Sequence, residues 1–203
     1  MAQAGLAVTL PEPRRDSSYP LERALAERRT VREFGPAALR LADVAQLAWA
    51  AQGVIAPSGR RTTPSAGALY PLEVYIVAAN VQDLAPGVYR YQPSLHRLAA
   101  VAEGDRRSEL AEAAWGQRWM EQAPAILVIA AVERRTTAKY GQRGVRYAHM
   151  EAGHAAQNAL LQARALDLDA GLVGAFTDAD VQAALGLPRD ARPLYLVPVG
   201  KSR

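Results

Sequence analysis

Cysteine is absent from this 203-residue chain, and lysine nearly so. Without cysteine there can be no disulfide and no thiolate nucleophile. Of the 24 basic residues only Lys139 and Lys201 are lysines, so the positive charge is almost entirely guanidinium. Long hydrophobic runs are missing too: the longest, Ala123 to Val132, contains Pro124 and is too short to span a bilayer, so it reads as a buried strand. The N-terminus lacks the basic start, long apolar stretch and cleavage-like end of a signal peptide, which makes a cytoplasmic location the expectation. Neither Gly-x-Gly-x-x-Gly nor Gly-x-x-x-x-Gly-Lys-Ser/Thr occurs, so neither a Rossmann fingerprint nor a P-loop is available to hold a phosphate. Ser65 has no Gly-x-Ser-x-Gly elbow around it, which argues against a serine hydrolase.

Half of the residues are apolar, enough for a substantial core in one domain or in one subunit of an intertwined dimer. The formal charge is +4, with a pI near 9.6. The basic pairs Arg14-Arg15, Arg60-Arg61, Arg106-Arg107 and Arg134-Arg135 are scattered and interspersed with acids. That pattern argues against a nucleic-acid stripe, and neither nucleic acid nor membrane is an expected partner.

Residues 1–19 carry prolines and charges without periodicity and are expected to form an extended arm that frays or wraps a partner subunit; residues 20–203 form the domain. A helix is predicted after Pro20 with Leu21 and Leu25 in the core, and a second from Leu41 to Ala51 stopped by Gly53. Strands are predicted over Leu72 to Ala79, Val88 to Tyr91 and Arg97 to Val101. A helix from Gly104-Asp105 to about Trp119 precedes the strand Ala125 to Val132, whose two apolar faces suit the centre of a sheet. A long, alanine-rich helix over Tyr147 to Leu166 can take a close neighbour. A short element at Ala170 to Ala175, a helix from Asp178 to Leu185 and a strand from Pro193 to Val199 close the chain.

Two segments carry the chemistry. Arg28, Arg29, Thr30 and Arg32 put three guanidinium groups and a hydroxyl within five positions, and guanidinium forks match phosphate oxygens. Basic residues could instead complement a helix C-terminus, but β-branched Thr30 and Val31 interrupt the helix and Phe34 follows, which favours a turn held on the core and a bound phosphate. Pro64 to Pro71 has little side-chain bulk in its middle, so its backbone can approach the polar edge of a flat ring. Together the two segments point to a nucleotide-like cofactor. Lys139-Tyr140 lies among Arg134, Arg135 and Arg143 in what reads as a polar loop. It is either a solvated basic loop or the seat of a lysine whose pKa is lowered by neighbouring cations and partial burial, able to act as a general base. Glu151 and His154 have the spacing of helical metal sites, but a second Glu-x-x-His is missing, and His149 and His154 stand about 140° apart on a helix. Helix packing or substrate lining is expected of them and no metal; His96 is expected at the surface.

These residues resemble the flavin-dependent nitroreductase superfamily, most closely its SagB-type (thiazole/oxazole oxidase-like) branch. The resemblance runs from Leu10-Pro11-Glu12-Pro13 through the arginine run, Pro64 to Pro71, Tyr147 to Asn158 and Gly171 to Phe176, to Pro198-Val199-Gly200. It implies an α+β fold with a central, mostly antiparallel sheet flanked by helices, and an intertwined homodimer with FMN at the subunit interface. By the resemblance, Arg28, Arg29, Thr30 and Arg32 hold the FMN phosphate and ribityl chain, Pro64, Ser65 and Ala66 come from the other subunit, Gln117 meets the pyrimidine edge, and Val173, Gly174 and Ala175 lie against the isoalloxazine. The implied activity is ping-pong hydride transfer through flavin N5 from NAD(P)H to nitroaromatic or quinone-like acceptors. Lys139-Tyr140 is similar to the pair that SagB-type azoline oxidases use to remove a ring proton, with oxygen as final acceptor; a flavin-binding protein without turnover is a further alternative. Two departures stand out. Gly174-Ala175 replaces the acidic residue before Gly common in that loop, and only Lys201 or Arg203 can supply C-terminal phosphate contacts.

Overall fold

The computed structural model describes residues 7–203. At its centre lies β5 (Ala125–Ala131), whose seven residues are all buried. The strand pairs antiparallel with β2 (Leu72–Ala78) on one side and β7 (Arg192–Gly200) on the other. With β1 (Ala7–Thr9), β3 (Gly87–Gln92), β4 (Arg97–Glu103) and β6 (Asp169–Ala170) they form a sheet in the order β1-β4-β3-β2-β5-β7-β6, antiparallel at every pairing among the described residues. The fold is the α+β arrangement that the sequence implies.

Helices cover both faces. On one face α2 (Leu41–Gln52) and α5 (Arg143–Ala165) pack over Val74, Ile76, Leu127 and Ile129; on the other α3 (Arg107–Ala113) and α6 (Asp178–Leu185) pack over Tyr75, Val77, Ile126 and Val128. Alternate side chains along β2 and β5 thus enter different cores, and each large one contributes about 1.5–3 kcal/mol by leaving water. Ala148, Ala152, Ala155, Ala156, Ala159 and Ala163 are buried along α5. Their small side chains let this helix lie close to the sheet and to α2.

Gly53 stops α2 as expected, at φ −64°, outside the left-handed region; glycine is required because a Cβ there would lie 2.0 Å from the Trp49 ring. Three expectations need correction. Leu21 and Leu25 on α1 (Leu21–Glu27) are 60% and 53% exposed, and only Ala24 of that helix is buried. The helix predicted to reach Trp119 stops at Ala113, because Trp115 and Gly116 take φ of +57° and +77° and the Ala113 carbonyl accepts the Thr177 N–H at 2.9 Å. Lys139-Tyr140 is not in a loop but closes a two-turn helix, α4 (Arg134–Tyr140), ended by Gly141 at φ +54°. Gly144 permits that helix, since a Cβ there would lie 2.6 Å from the Thr136 backbone.

The N-terminal segment lies along its own chain. Residues 7–9 pair with β4, the Leu10 side chain is buried, and the Arg14 N–H reaches Gln46 Oε1 at 2.8 Å. His96 fastens it: Nε2 is 2.8 Å from the Pro11 carbonyl and Nδ1 is 2.9 Å from the Tyr91 hydroxyl. Residues 1–6 of the expected arm lie outside the described residues.

Candidate active site

The arginine run is a strap and not a helix end. At Arg28 the backbone turns extended, ψ 123°, and the β-branched residues that follow suit that conformation. Thr30 bridges Ala170 in parallel, the Val31 N–H donates to the Ala170 carbonyl at 3.1 Å, and Phe34 pairs with Ser202. Arg164 secures the start of the strap by bonding Asp169 at 2.7 Å and approaching Glu27 at 3.5 Å. Arg29, Arg32, Glu33, Ser202 and Arg203 line a cleft of about 300 Å³, and Arg203 is anchored through Nε to the Phe34 carbonyl at 3.3 Å. Lys201 turns away to Asp167 at 3.1 Å. Among the described residues no carboxylate forms an ion pair with Arg28, Arg29 or Arg32. Guanidinium groups left uncompensated around a cleft fit an anion such as a phosphate monoester.

The strap leads to a second predicted group. Arg32 lies 5.8 Å from the Trp119 ring centroid, and Trp119 stacks on Phe34 at 6.3 Å. Gly171 allows this, because a Cβ there would meet Trp119 at 2.6 Å and the Val31 carbonyl at 2.8 Å. The turn after α3 brings Gln117 back so that its Nε2 donates to the Ala175 carbonyl at 3.3 Å. Gln117 and the Val173–Ala175 loop, 58 residues apart, are therefore neighbours. Val173 is buried against Leu196, whereas Gly174 and Ala175 are exposed.

A third group forms around residues 65–70. The Ala66 N–H donates to Glu151 Oε1 at 2.9 Å, and the Ser65 hydroxyl accepts the Tyr70 N–H at 2.8 Å. Gly67, Ala68 and Tyr70 all have positive φ, +61°, +55° and +45°. Two residues other than glycine in this region, Ala68 and Tyr70, make a strained turn of the kind found at functional sites. Lys139 and Tyr140 lean on it: a Cβ at Gly67 would be 2.6 Å from the Tyr140 hydroxyl and 3.2 Å from Lys139 Nζ. Lys139 is exposed, so its own chain does not supply the expected burial; Tyr140 packs edge-on against Tyr147 at 5.2 Å. Arg61 covers the Tyr70 ring at 4.5 Å and Arg135 donates to the Tyr70 carbonyl at 3.0 Å.

Glu151, expected to pack or to line a site, is a buried residue, 4% exposed, and burial pushes its pKa up against the opposing pull of the Ala66 N–H and the Ser65 hydroxyl. It serves the turn, and among the described residues no group of three or more His, Cys, Asp or Glu side chains could hold a metal ion. His149 lies instead beside Gly174, Leu194 and Tyr195 in a cavity of about 280 Å³, with Nε2 3.4 Å from Glu133. His96, expected at the surface, is the clamp described above.

The expected residues thus fall into three groups: an arginine-lined cleft, a loop with two exposed small residues and a backbone turn with positive φ angles. The nitroreductase family profile matches residues 25–201, and the chain belongs to that family. It is 43% identical over 181 residues to a Methanocaldococcus jannaschii protein provisionally assigned as a nitroreductase, covering 89% of this chain and 90% of that one. It is 34% identical over 145 residues to the Escherichia coli microcin B17-processing protein McbC, covering 68% of this chain and 53% of that protein. The chain thus spans about half of McbC. The solved structure of a Ralstonia eutropha protein, also provisionally assigned as a nitroreductase, superposes with a TM-score of 0.83 at 28% identity, over all of this chain and 92% of the other. Among the described residues no helix is long and apolar enough to cross a membrane.

Proposed function

We propose that this oxidoreductase of the nitroreductase family uses FMN, works as a homodimer, and passes a hydride from NAD(P)H to nitroaromatic or quinone-like acceptors. The observation that carries the cofactor reading is the strap: Arg28, Arg29 and Arg32 form no ion pair among the described residues, and Arg29 and Arg32 line one cleft with Glu33 and Arg203. A cofactor phosphate there would be held by bidentate, charge-assisted hydrogen bonds. Bound FMN would supply two-electron chemistry in which one site serves donor and acceptor in turn.

The chain's own residues then set position and access. Gln117 fixes the loop at Ala175, and Gly174 and Ala175 present no bulky side chain, so a planar ring can lie against the backbone. The Pro64–Ala66 turn reaches the ring from the other subunit in this reading. The exposed Leu21, Leu25 and Met150 offer apolar surface for such an association. Cationic groups near the ring's polar edge stabilise negative charge that develops there on reduction.

The test is direct. Purified protein should show a flavin absorption spectrum, light scattering should give a mass near twice 21.8 kDa, and stopped-flow mixing with NADH and NADPH separately should bleach the spectrum. A colourless protein that takes up no FMN would overturn this reading.

A second reading is favoured by the similarity to the microcin B17-processing protein and by the contact of Lys139 and Tyr140 with the turn. In it Lys139 Nζ would take a proton from an azoline-type heterocycle, bound FMN would supply the two-electron oxidation, and oxygen would be the final acceptor. Lys139→Ala that retains FMN and NAD(P)H oxidation but loses heterocycle oxidation would select this reading. No change in any turnover would remove Lys139 as a base. A flavin that, once reduced, no acceptor reoxidises would mark a flavin-binding protein without turnover.

A further inference from the structure

Glu151 is the one buried carboxylate in α5, and it spends its hydrogen bond on a turn 85 residues away in sequence. Ion pairing does not explain it, since among the described residues its carboxylate forms no ion pair within 4 Å. The groups that face it are the Ala66 N–H and Ser65 hydroxyl from the turn, Arg61 from the segment before it, and His154 one helical turn onward; Lys139 and Tyr140 stand against the same turn at Gly67. The turn is therefore gripped at Ala66 by a carboxylate and leaned on at Gly67 by a lysine and a phenol. Between these contacts its backbone adopts left-handed angles at Gly67 and Ala68 that it would not keep unaided.

We infer that Glu151 is a positioning residue for cofactor binding: by accepting the Ala66 N–H it fixes the Ser65–Ala68 turn in the conformation that a flavin ring of the other subunit meets. This inference rests on the FMN reading above and adds to it a residue that does not itself touch the cofactor. It also separates the turn's roles. The Ala66 N–H and the Ser65 hydroxyl are engaged within the chain, so what the turn offers a ring is its exposed edge at Pro64, Gly67 and Ala68. Because the grip is charge-assisted, it weakens when the carboxyl takes a proton, and cofactor affinity should fall with it as the pH is lowered. Burial brings that protonation above the ordinary carboxyl range.

The test uses the full-length protein with Glu151→Gln and Glu151→Ala. Hydrogen exchange over residues 65–70, corrected for intrinsic rates, reports the turn, and quenching of FMN fluorescence reports affinity, both from pH 5 to 9. Glu151→Ala should speed exchange there and weaken FMN roughly tenfold, the scale of one charge-assisted hydrogen bond. Glu151→Gln, whose amide oxygen can still accept, should keep affinity within a few-fold and flatten the pH profile seen in the wild type. Unchanged exchange and FMN affinity in Glu151→Ala would overturn the inference, and so would a pH profile identical in wild type and Glu151→Gln, which stays readable if the alanine variant fails to fold. Failure of the FMN reading itself is seen earlier and separately, as wild-type protein that takes up no FMN at any pH.

Discussion

The arginine strap and the Ser65–Tyr70 turn are built on opposite plans. The strap's guanidinium groups carry no internal ion pairs, and its backbone is held by ordinary strand-like bonds to Ala170 and Lys201. In the turn, side chains from α4 and α5 converge on the backbone, and three residues sit at positive φ. The strap stores charge in a relaxed chain; the turn stores shape in a strained one. Charge can be removed with little harm to the fold, whereas shape cannot, and the two regions should therefore respond in contrasting ways to substitution.

The largest expected effect lies in the strap. Arg28→Ala combined with Arg32→Ala should weaken FMN by about 100-fold or more, since each charge-assisted contact contributes about 1.5–3 kcal/mol. Melting of the ligand-free protein should change little, because substitutions on unpaired surface groups stay within about 0.5 kcal/mol. Fluorescence titration and calorimetry check the two halves. Unaltered affinity would remove the phosphate role of the strap, and a large loss of stability would remove the contrast with the turn.

The turn should behave in reverse. Gly67→Ala is expected to cost about 1–3 kcal/mol in ligand-free stability, part from the left-handed backbone and part from the clash with the Tyr140 hydroxyl. Adding Tyr140→Phe removes the hydroxyl and should return only the steric part. Full recovery would show that the backbone angle carries no strain; no recovery would assign the whole cost to it. Denaturant melts of the two single variants and the double variant complete the cycle.

This contrast also explains what could be read in the sequence. Charge clusters and apolar periodicity are written in residue type, so the arginine run, the fully buried β5, α6 and the close-packed α5 were legible. The family resemblance supplied the sheet architecture and the Val173–Ala175 loop. Shape is written in contacts. Nothing in Trp115-Gly116 announces that two left-handed residues will end α3 and return Gln117 to Ala175. The β-branched Thr136-Thr137 pair hid α4, because close packing of Gly144 on its backbone overrides propensity there. Glu151 was expected to pack or to line a site, but its partner was not legible, since it is the backbone of Ala66, which no side-chain motif records.

A smaller effect tests the strap's far end. Arg203 lines the cleft beside Arg29 and Arg32, while Lys201, two residues earlier, pairs with Asp167. Arg203→Ala should weaken FMN by about tenfold, the lower end of the effect of one such contact. Lys201→Ala should leave affinity unchanged, since an exposed ion pair contributes about 0–1 kcal/mol to stability and this one points away from the cleft. Equal losses in both variants would mean that only net charge at the C-terminus matters, and the particular geometry of the cleft would lose its part in the argument.

The subtlest measurement concerns Glu151 and the sign of its effect on stability. Burial makes the folded protein bind this proton more readily than the unfolded chain does, so between the ordinary carboxyl range and the raised value the native state holds more protons. Stability contributed by this group therefore falls as pH rises through that window, and the cost of a buried charge is fully present above it. Glu151→Gln carries no such charge. Its melting temperature relative to wild type should rise across the window and level off above it, and the difference should stop changing below the ordinary carboxyl range. Taken with the weaker grip of a protonated carboxyl on Ala66, this means that global stability and the order of the turn move in opposite directions as the pH falls. Calorimetry from pH 4 to 9 reads the first and hydrogen exchange at 65–70 the second. If wild type instead gained on the glutamine variant as pH rose, hydrogen bonds from the turn would outweigh burial, and the carboxylate would stabilise the fold as well as shape it.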